Sequence, residues 1–244
     1  MKQVIRDHLP AWLLTKVTRA RILFRERKNR GRSASDIFGE IYLTNAWGGA
    51  PSEVCSGSGS RDGLMVDSYV TAVSRRLHAL GREGVGVMVD LGCGDFAVGS
   101  RLAGLGTRYV ACDVVPAVVT SNLERYSSLP VEFETVDIIT DQLPPGNTAF
   151  LRQVLQHLSN DHVARILGRL RAYDRVFITE HQPAPSRLKA PNRDKYPGGS
   201  TRVDFDSGVF LTKPPFSLPE SCLELILEVP VSNGAIVTWE YTPV

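Results

Sequence analysis

Val85-Gly-Val-Met-Val-Asp90-Leu-Gly92-Cys-Gly94-Asp95-Phe-Ala97 is an apolar run that ends in an acid and breaks into closely spaced glycines. Its β-branched and apolar residues predict a buried parallel strand, and Gly92 and Gly94 permit a tight turn into a helix expected over Ala97 to Leu105. The spacing Gly92-x-Gly94-x-x-Ala97 also fits the dinucleotide fingerprint, in which bare amides and a helix N-terminus receive a pyrophosphate. Asp95 argues against that ligand. A carboxylate directly after the second glycine would face two phosphate charges, whereas a ligand ammonium would be drawn to Asp90 and Asp95. A strand, turn and helix with no ligand is the competing reading, since lone glycine motifs are weak.

The segments that follow sharpen the choice. Arg108-Tyr-Val-Ala-Cys-Asp113 predicts a second strand whose terminal acid falls about 20 residues past the glycines, where a ribose diol needs a bidentate acceptor. Asp113 is the expected ribose ligand. Val131 to Ile138 predicts a third strand, and its exit pairs Asp137 with Ile138, suited to an adenine amino group and ring face. Thr148-Ala-Phe-Leu-Arg-Gln153-Val-Leu-Gln-His157-Leu predicts a fourth. In this order, Asp-Leu-Gly-Cys-Gly, Asp113, Asp137 and the Leu-Arg-Gln-Val-Leu-Gln-His-Leu run resemble the class I S-adenosylmethionine-dependent methyltransferases over roughly residues 60 to 244.

The resemblance implies an α/β, Rossmann-like fold: a mostly parallel seven-stranded sheet closed by a terminal antiparallel hairpin. It implies S-adenosyl-L-methionine as cofactor, held by Asp90, Gly92, Gly94, Asp95, Asp113, Val114, Asp137, Ile138 and Gln153, with Trp47 and Ser60 contributed by the segment ahead of the core. The pattern Tyr42-x-x-Asn45-x-Trp47-Gly, followed by Ser56-Gly-Ser-Gly-Ser60, is similar to one found in bacterial, actinobacterial-type methyltransferases of glycan and glycolipid pathways. There the segment before the core folds over the cofactor. A flexible Gly-Ser linker is the alternative.

Composition sets outer limits. At 244 residues, with 43% apolar and 22% charged residues, the chain fits one α/β domain with extensions. A net charge of +2 gives nucleic-acid binding no global support. Cys55, Cys93, Cys112 and Cys222 form no Cys-x-x-Cys pair, so neither a disulfide framework nor a zinc site is indicated, and no other spaced cluster suggests a metal. With no cleavable signal peptide and no apolar run of spanning length, a cytoplasmic location is expected.

Residues 1–35 stand apart. The first 32 carry ten Lys and Arg against Asp7 and Glu26, a net of +8, which leaves the remainder near −6. Leu9, Trp12, Leu13, Val17, Ile22, Leu23 and Phe24 interleave with these charges and predict one or two amphipathic helices split near Pro10, with a hinge at Gly31 to Ser35. Such an arm can lie on an anionic membrane at the inner face, or bury the same apolar face on its own domain or in a homodimer.

Within 36–244, Leu64 to Leu80 predicts a helix, Asn160-Asp161 caps another running to about Arg171, and Arg175 to His181 is a fifth strand. Residues 222–229 and 235–241 alternate around Ser232-Asn233-Gly234 and predict the closing hairpin. Residues 182–219 hold seven of the fifteen prolines and no helical period, an insertion expected to help form the acceptor site.

Ligands in an open parallel sheet sit beyond the carboxyl ends of its strands. For an alcohol acceptor a proton must be removed, which points first to His181, at the end of the fifth strand, and second to His157. Glu180 and Asp206 are carboxylate alternatives, as the base or as ligands in a metal-dependent version that no spaced His/Asp cluster compels. Many amino-directed members of the class that the chain resembles carry Asn or Asp, then Pro-Pro and an aromatic, after the fourth strand; Gln153-Val-Leu-Gln156 stands there instead, so the resemblance implies oxygen over a base amine. The function expected is O-methylation of a sugar hydroxyl on a glycan or glycolipid. The alternatives are another small-molecule hydroxyl or amine, and a module that binds the cofactor without catalysis.

Overall fold

The computed structural model of the protein describes residues 11–50 and 53–243. Two helices come first, α1 (Ala11–Arg27) and α2 (Ala34–Leu43), then α3 (Gly63–Val85) and the strand β1 (Val87–Leu91). β2 (Arg108–Asp113), α4 (Pro116–Arg125), β3 (Glu132–Thr135), β4 (Thr148–Arg152), α5 (Asn160–Arg169) and β5 (Arg175–Pro183) follow. β6 (Leu223–Val231) and β7 (Gly234–Tyr241) close the chain as the expected hairpin.

All seven strands lie in one sheet, ordered β3-β2-β1-β4-β5-β7-β6. The first five are mutually parallel, and β7 runs antiparallel to both neighbours. The order reverses at β1, which pairs β2 on one side and β4 on the other; that is the switch point where crevices open.

Successive side chains of a strand face opposite sides. Met88, Phe150 and Phe177 turn to one side, where Val66, Tyr69, Val73 and Leu77 of α3 cover them. Val89, Leu91, Leu151 and Ile178 turn to the other, under Val163, Ile166 and Leu167 of α5. The α3 residues recur at three- and four-residue spacing, and Asp62 caps the helix by accepting the Met65 N–H at 3.0 Å.

Two expectations are corrected. No α-helix follows the glycine turn; Ala97 to Leu105 is a chain of turns with one 3-10 segment, Gly99–Arg101. Phe96 at φ 55° and Gly104 at φ 94° break any helical run there. The cap of α5 is Ser159, whose hydroxyl accepts from the His162 N–H, rather than Asn160-Asp161. Of the one or two helices expected in the arm, α1 covers Ala11–Arg27, and residues 1–10, with Leu9, lie outside the described residues. No described helix is long and apolar enough to cross a membrane.

Candidate active site

At the switch point lies a cavity of about 1100 Å³, open mouth included. Asp90, Gly92, Gly94, Asp95, Asp113, Val114, Asp137, Ile138, Gln153, Trp47, Ser60 and His157 all line it. His181 does not.

The glycine turn is shaped by what packs on it. Gly94, at φ 55°, lies under Ser56; a Cβ there would meet Ser56 Oγ at 2.2 Å. Ser56 and Asp95 bond reciprocally: the Asp95 N–H donates to Ser56 Oγ at 2.6 Å, and the Ser56 N–H to Asp95 Oδ2 at 3.1 Å. Tyr42 Oη stands 3.2 Å from the same Ser56 hydroxyl. The Ser-Gly stretch is thus bonded to the glycine turn as a cover, not a free linker.

Asp113 accepts the Gly94 N–H on Oδ2 and the Val115 N–H on Oδ1, each at 3.0 Å, which orients the carboxylate and leaves further lone pairs for a diol. Burial pushes its pKa up to about 6 despite those bonds. Asp90, which accepts the Tyr109 hydroxyl at 3.3 Å, is pushed up to about 7 by burial. Asp137 Oδ1 caps the turn at the third strand's exit by accepting the Ile139 N–H at 2.9 Å, with buried Ile138 beside it.

Two features were missed in the sequence. Arg152, the last residue of β4, enters the cavity over the Tyr69 ring and donates from Nη2 to Gly59 O at 2.6 Å, while its buried Nε has no partner. An arginine ending an otherwise buried strand was the available signal. Tyr42 and Phe38 of α2 also line the cavity, beside Trp47.

His157 sits against Trp47, ring centroids 5.1 Å apart. Its Nδ1 lies 3.2 Å from Ser200 O, which can only accept, so Nδ1 carries the proton and Nε2 the lone pair, with Gln156 Nε2 at 3.4 Å. Burial, and then the charge of Lys195, lower the imidazole pKa to about 3, so the ring stays neutral at physiological pH.

His181 was the first expectation for a base, and its placement is a correction. β5 continues past it to Pro183, and alternation turns it away from Glu180 toward Asn233 in the hairpin turn. Its buried Nε2 has no partner, and burial lowers its pKa. Neither carboxylate alternative lines the cavity. Glu180 caps the turn after β4, accepting the Leu155 and Gln156 N–H groups at 2.8 and 3.0 Å. Asp206 is held by Arg19 and Lys189, both at 2.7 Å, and those bonds keep its carboxyl well below the usual range.

Among the described residues no group of three or more His, Cys, Asp or Glu is placed to hold a metal, and the four cysteines are free thiols. No residue of 182–219 lines the cavity, a correction to the expectation for that insertion; its residues 197–204 back His157 and are where the arm packs. Arg19 donates to Asp204 O at 2.7 Å, Asn29 donates to Pro197 O at 2.8 Å, and the Glu26 carboxylate is buried against Ser200.

Neither a family model nor a curated protein matches the sequence. Solved structures do match the fold. Magnesium protoporphyrin IX methyltransferase (ChlM) from Synechocystis PCC 6803 with bound SAH superposes at TM-score 0.55, with 15% identity over 85% of this chain and 94% of that one. N-methyltransferase NodS from Bradyrhizobium japonicum WM9, in complex with S-adenosyl-l-homocysteine (SAH), gives 0.50, 13%, 71% and 86% for the same measures. The N-terminal domain of EvdMO1 with SAH bound gives 0.51, 14%, 70% and 81%. The strand order and these likenesses show the class I methyltransferase fold.

Proposed function

We propose that the protein is an S-adenosyl-L-methionine-dependent methyltransferase acting on a hydroxyl of a sugar, on a glycan or a glycolipid. The observation that carries the cofactor is the donor set of the cavity. Asp113 is poised for a diol, Asp137 and Ile138 for an adenine, and Asp90 with the unpartnered Arg152 Nε offers an anion and a cation to a zwitterion. A dinucleotide fits poorly: three buried carboxylates line the turn, and no helix N-terminus stands there to receive a pyrophosphate.

When bound, the cofactor supplies an electrophilic methyl on a sulfonium. The chain's own residues position and exclude water. The segment carrying Tyr42, Trp47 and Ser56 covers the cavity. Phe38 and Trp47 give aromatic faces for the apolar side of a sugar ring, since the Trp47 N–H is already donated to Gly199 O at 3.1 Å. His157 Nε2, whose one lone pair meets only the long 3.4 Å contact from Gln156 Nε2, exchanges that contact for the acceptor hydroxyl and orients its oxygen; a ring with so low a pKa serves as a hydrogen-bond acceptor first and a proton store second.

Turnover of labelled S-adenosylmethionine on a panel of glycans, phenols and RNA tests this. Transfer to a glycan hydroxyl is the expected result. Transfer only to phenols, amines or RNA overturns the acceptor, and cofactor binding without transfer to any member leaves a binding module.

A glycolipid acceptor fits the outer face of α1. That face exposes Phe24 (70%) and Leu23 (38%) among the exposed Arg21, Arg25 and Lys28, a mixture that can rest on the anionic inner face of a membrane. Co-sedimentation with anionic and neutral vesicles separates this from a homodimer through the same face. Salt-sensitive binding to anionic vesicles supports the membrane; concentration-dependent dimerisation without vesicle binding supports the dimer.

A further inference from the structure

α1 carries five Lys and Arg and one carboxylate, Glu26, and the carboxylate is the side chain that is buried, at 2% exposure. Burying a charge is costly unless it is paired and hydrogen-bonded, so the contacts of Glu26 indicate what the helix is docked for. Its Oε1 accepts both the N–H and the hydroxyl of Ser200, at 3.0 and 2.6 Å. Its Oε2, with no hydrogen bond of its own, lies 3.5 Å from Nζ of buried Lys195.

The loop that receives Glu26 is the loop that holds His157. Ser200 presents its N–H and hydroxyl to Glu26 and its carbonyl to His157 Nδ1. The Gly198 N–H donates to His157 O at 3.0 Å, and Lys195 Nζ donates to the same oxygen at 3.4 Å. Gly199 O takes the Trp47 indole N–H, which fixes the ring packed on His157. The fit at Gly198 is close, since a Cβ there would lie 2.6 Å from Glu26 Oε1.

We propose that Glu26 is a positioning residue for the candidate active site: through Ser200 it sets the Nδ1–H tautomer and the orientation of His157, making the N-terminal helix a working part of the acceptor end. The inference rests on the reading above only in giving the His157 lone pair a use. The geometric link stands on its own contacts. Without the carboxylate, residues 195–200 lose the anion that ties them to α1, the Ser200 carbonyl is no longer held on Nδ1, and the imidazole can take either tautomer.

The test reads the imidazole directly, on the full-length chain with S-adenosylhomocysteine added. Nitrogen-15 histidine spectra are recorded for the wild type, Glu26→Gln and Glu26→Ala, with the His157 signals assigned by their loss in His157→Gln. The wild type is expected as the single Nδ1–H form. Glu26→Gln, whose amide oxygen still accepts from Ser200, is expected to stay with it. Glu26→Ala is expected to show an Nε2–H population of about a tenth or more, the level at which a tautomer preference of about 1.4 kcal/mol has been reached from above, with affinity for S-adenosylhomocysteine held because Asp113 is untouched. Spectra of Glu26→Ala that match the wild type overturn the proposal, as does a Glu26→Gln spectrum as disturbed as that of Ala. Should Glu26→Ala not fold, Glu26→Asp, a methylene short of Ser200, carries the same expected and overturning results. Methyl transfer is not the readout, so failure to find an acceptor and failure of this link are told apart.

Discussion

Around Asp90, Gly94 and Asp113 the cavity is shaped by strand ends with Ser56 laid over the turn, whereas His157, on another part of the wall, is oriented from behind by residues 198–200, which do not line the cavity and are themselves tied to α1 and Trp47. The bonds that orient the first join residues 19 apart in the chain: Gly94 N–H to Asp113, and Tyr109 hydroxyl to Asp90. Those that orient the second join residues 174 and 152 apart, Glu26 to Ser200 and Trp47 to Gly199. Local construction gives a cofactor end that depends little on the arm. The acceptor end depends on segments that meet only in the folded chain, so perturbations at the two ends should separate.

The largest separation is expected from pH. In the ligand-free cavity Asp90 and Asp113 titrate at about 7 and about 6, and a ligand that places an ammonium and a diol on them binds the ionised forms. Ligand binding lowers both values, so affinity is full above pH 7 and is lost as pH falls through 7 and 6. Between pH 8 and pH 5 the affinity for S-adenosylhomocysteine should fall by about 10² to 10³-fold, as two carboxylates must be deprotonated. His157 stays neutral over that range and adds no step. Calorimetry across the pH series checks this; a flat profile breaks the assignment of the cofactor end.

Next come paired substitutions. Asp113→Ala removes charge-assisted bonds worth about 1.5–3 kcal/mol and should weaken cofactor binding by about tenfold to a hundredfold. His157→Ala should leave that affinity in place and lower turnover by about tenfold to a hundredfold through loss of acceptor positioning. If His157→Ala weakens cofactor binding as much as Asp113→Ala does, the two ends are not distinct.

A smaller effect is expected at Trp47. Trp47→Phe keeps an aromatic face and removes the bond to Gly199 O, a loss of about 1 kcal/mol, or about 2–4 °C in Tm for a chain this long. Thermal unfolding with and without S-adenosylhomocysteine reads it, and the ligand-induced rise should be unchanged. The smallest effect belongs to His181→Ala, whose side chain faces the hairpin turn at Asn233: turnover should match the wild type. A loss of about 10² or more would return His181 to the role of base.

Much of this was legible beforehand, for reasons that can be named. Strands β1, β2, β4 and β5 were readable because buried parallel strands are short apolar runs, and the exposed edge strand β3 by its alternation, so Asp90, Asp113 and Asp137 were readable because each ends or follows such a segment. The helix after Gly94 was misjudged. Apolar residues at Val98, Leu102 and Leu105 suggest a helical face, yet the backbone at Phe96 and Gly104 takes positive φ, and tertiary packing of Phe96 against Tyr109, Tyr126 and Phe133 holds the turn.

The histidines mark the boundary between the two kinds of information. By itself the sequence determined the sheet, the place of its crevice and the carboxylates on the rim, because strand period and turn chemistry act over a few residues and carry their direction with them. Which of His157 and His181 faces the cavity depended on where β5 ends and which way its last residues alternate, and a strand boundary uncertain by one residue turns a side chain to the opposite face. That Glu26 reaches Ser200, and Arg152 the cavity, depended on contacts between segments with no shared periodicity. Only the folded chain brings those groups together, because their pairing is enforced by the cost of burying charge and not by any pattern along the sequence.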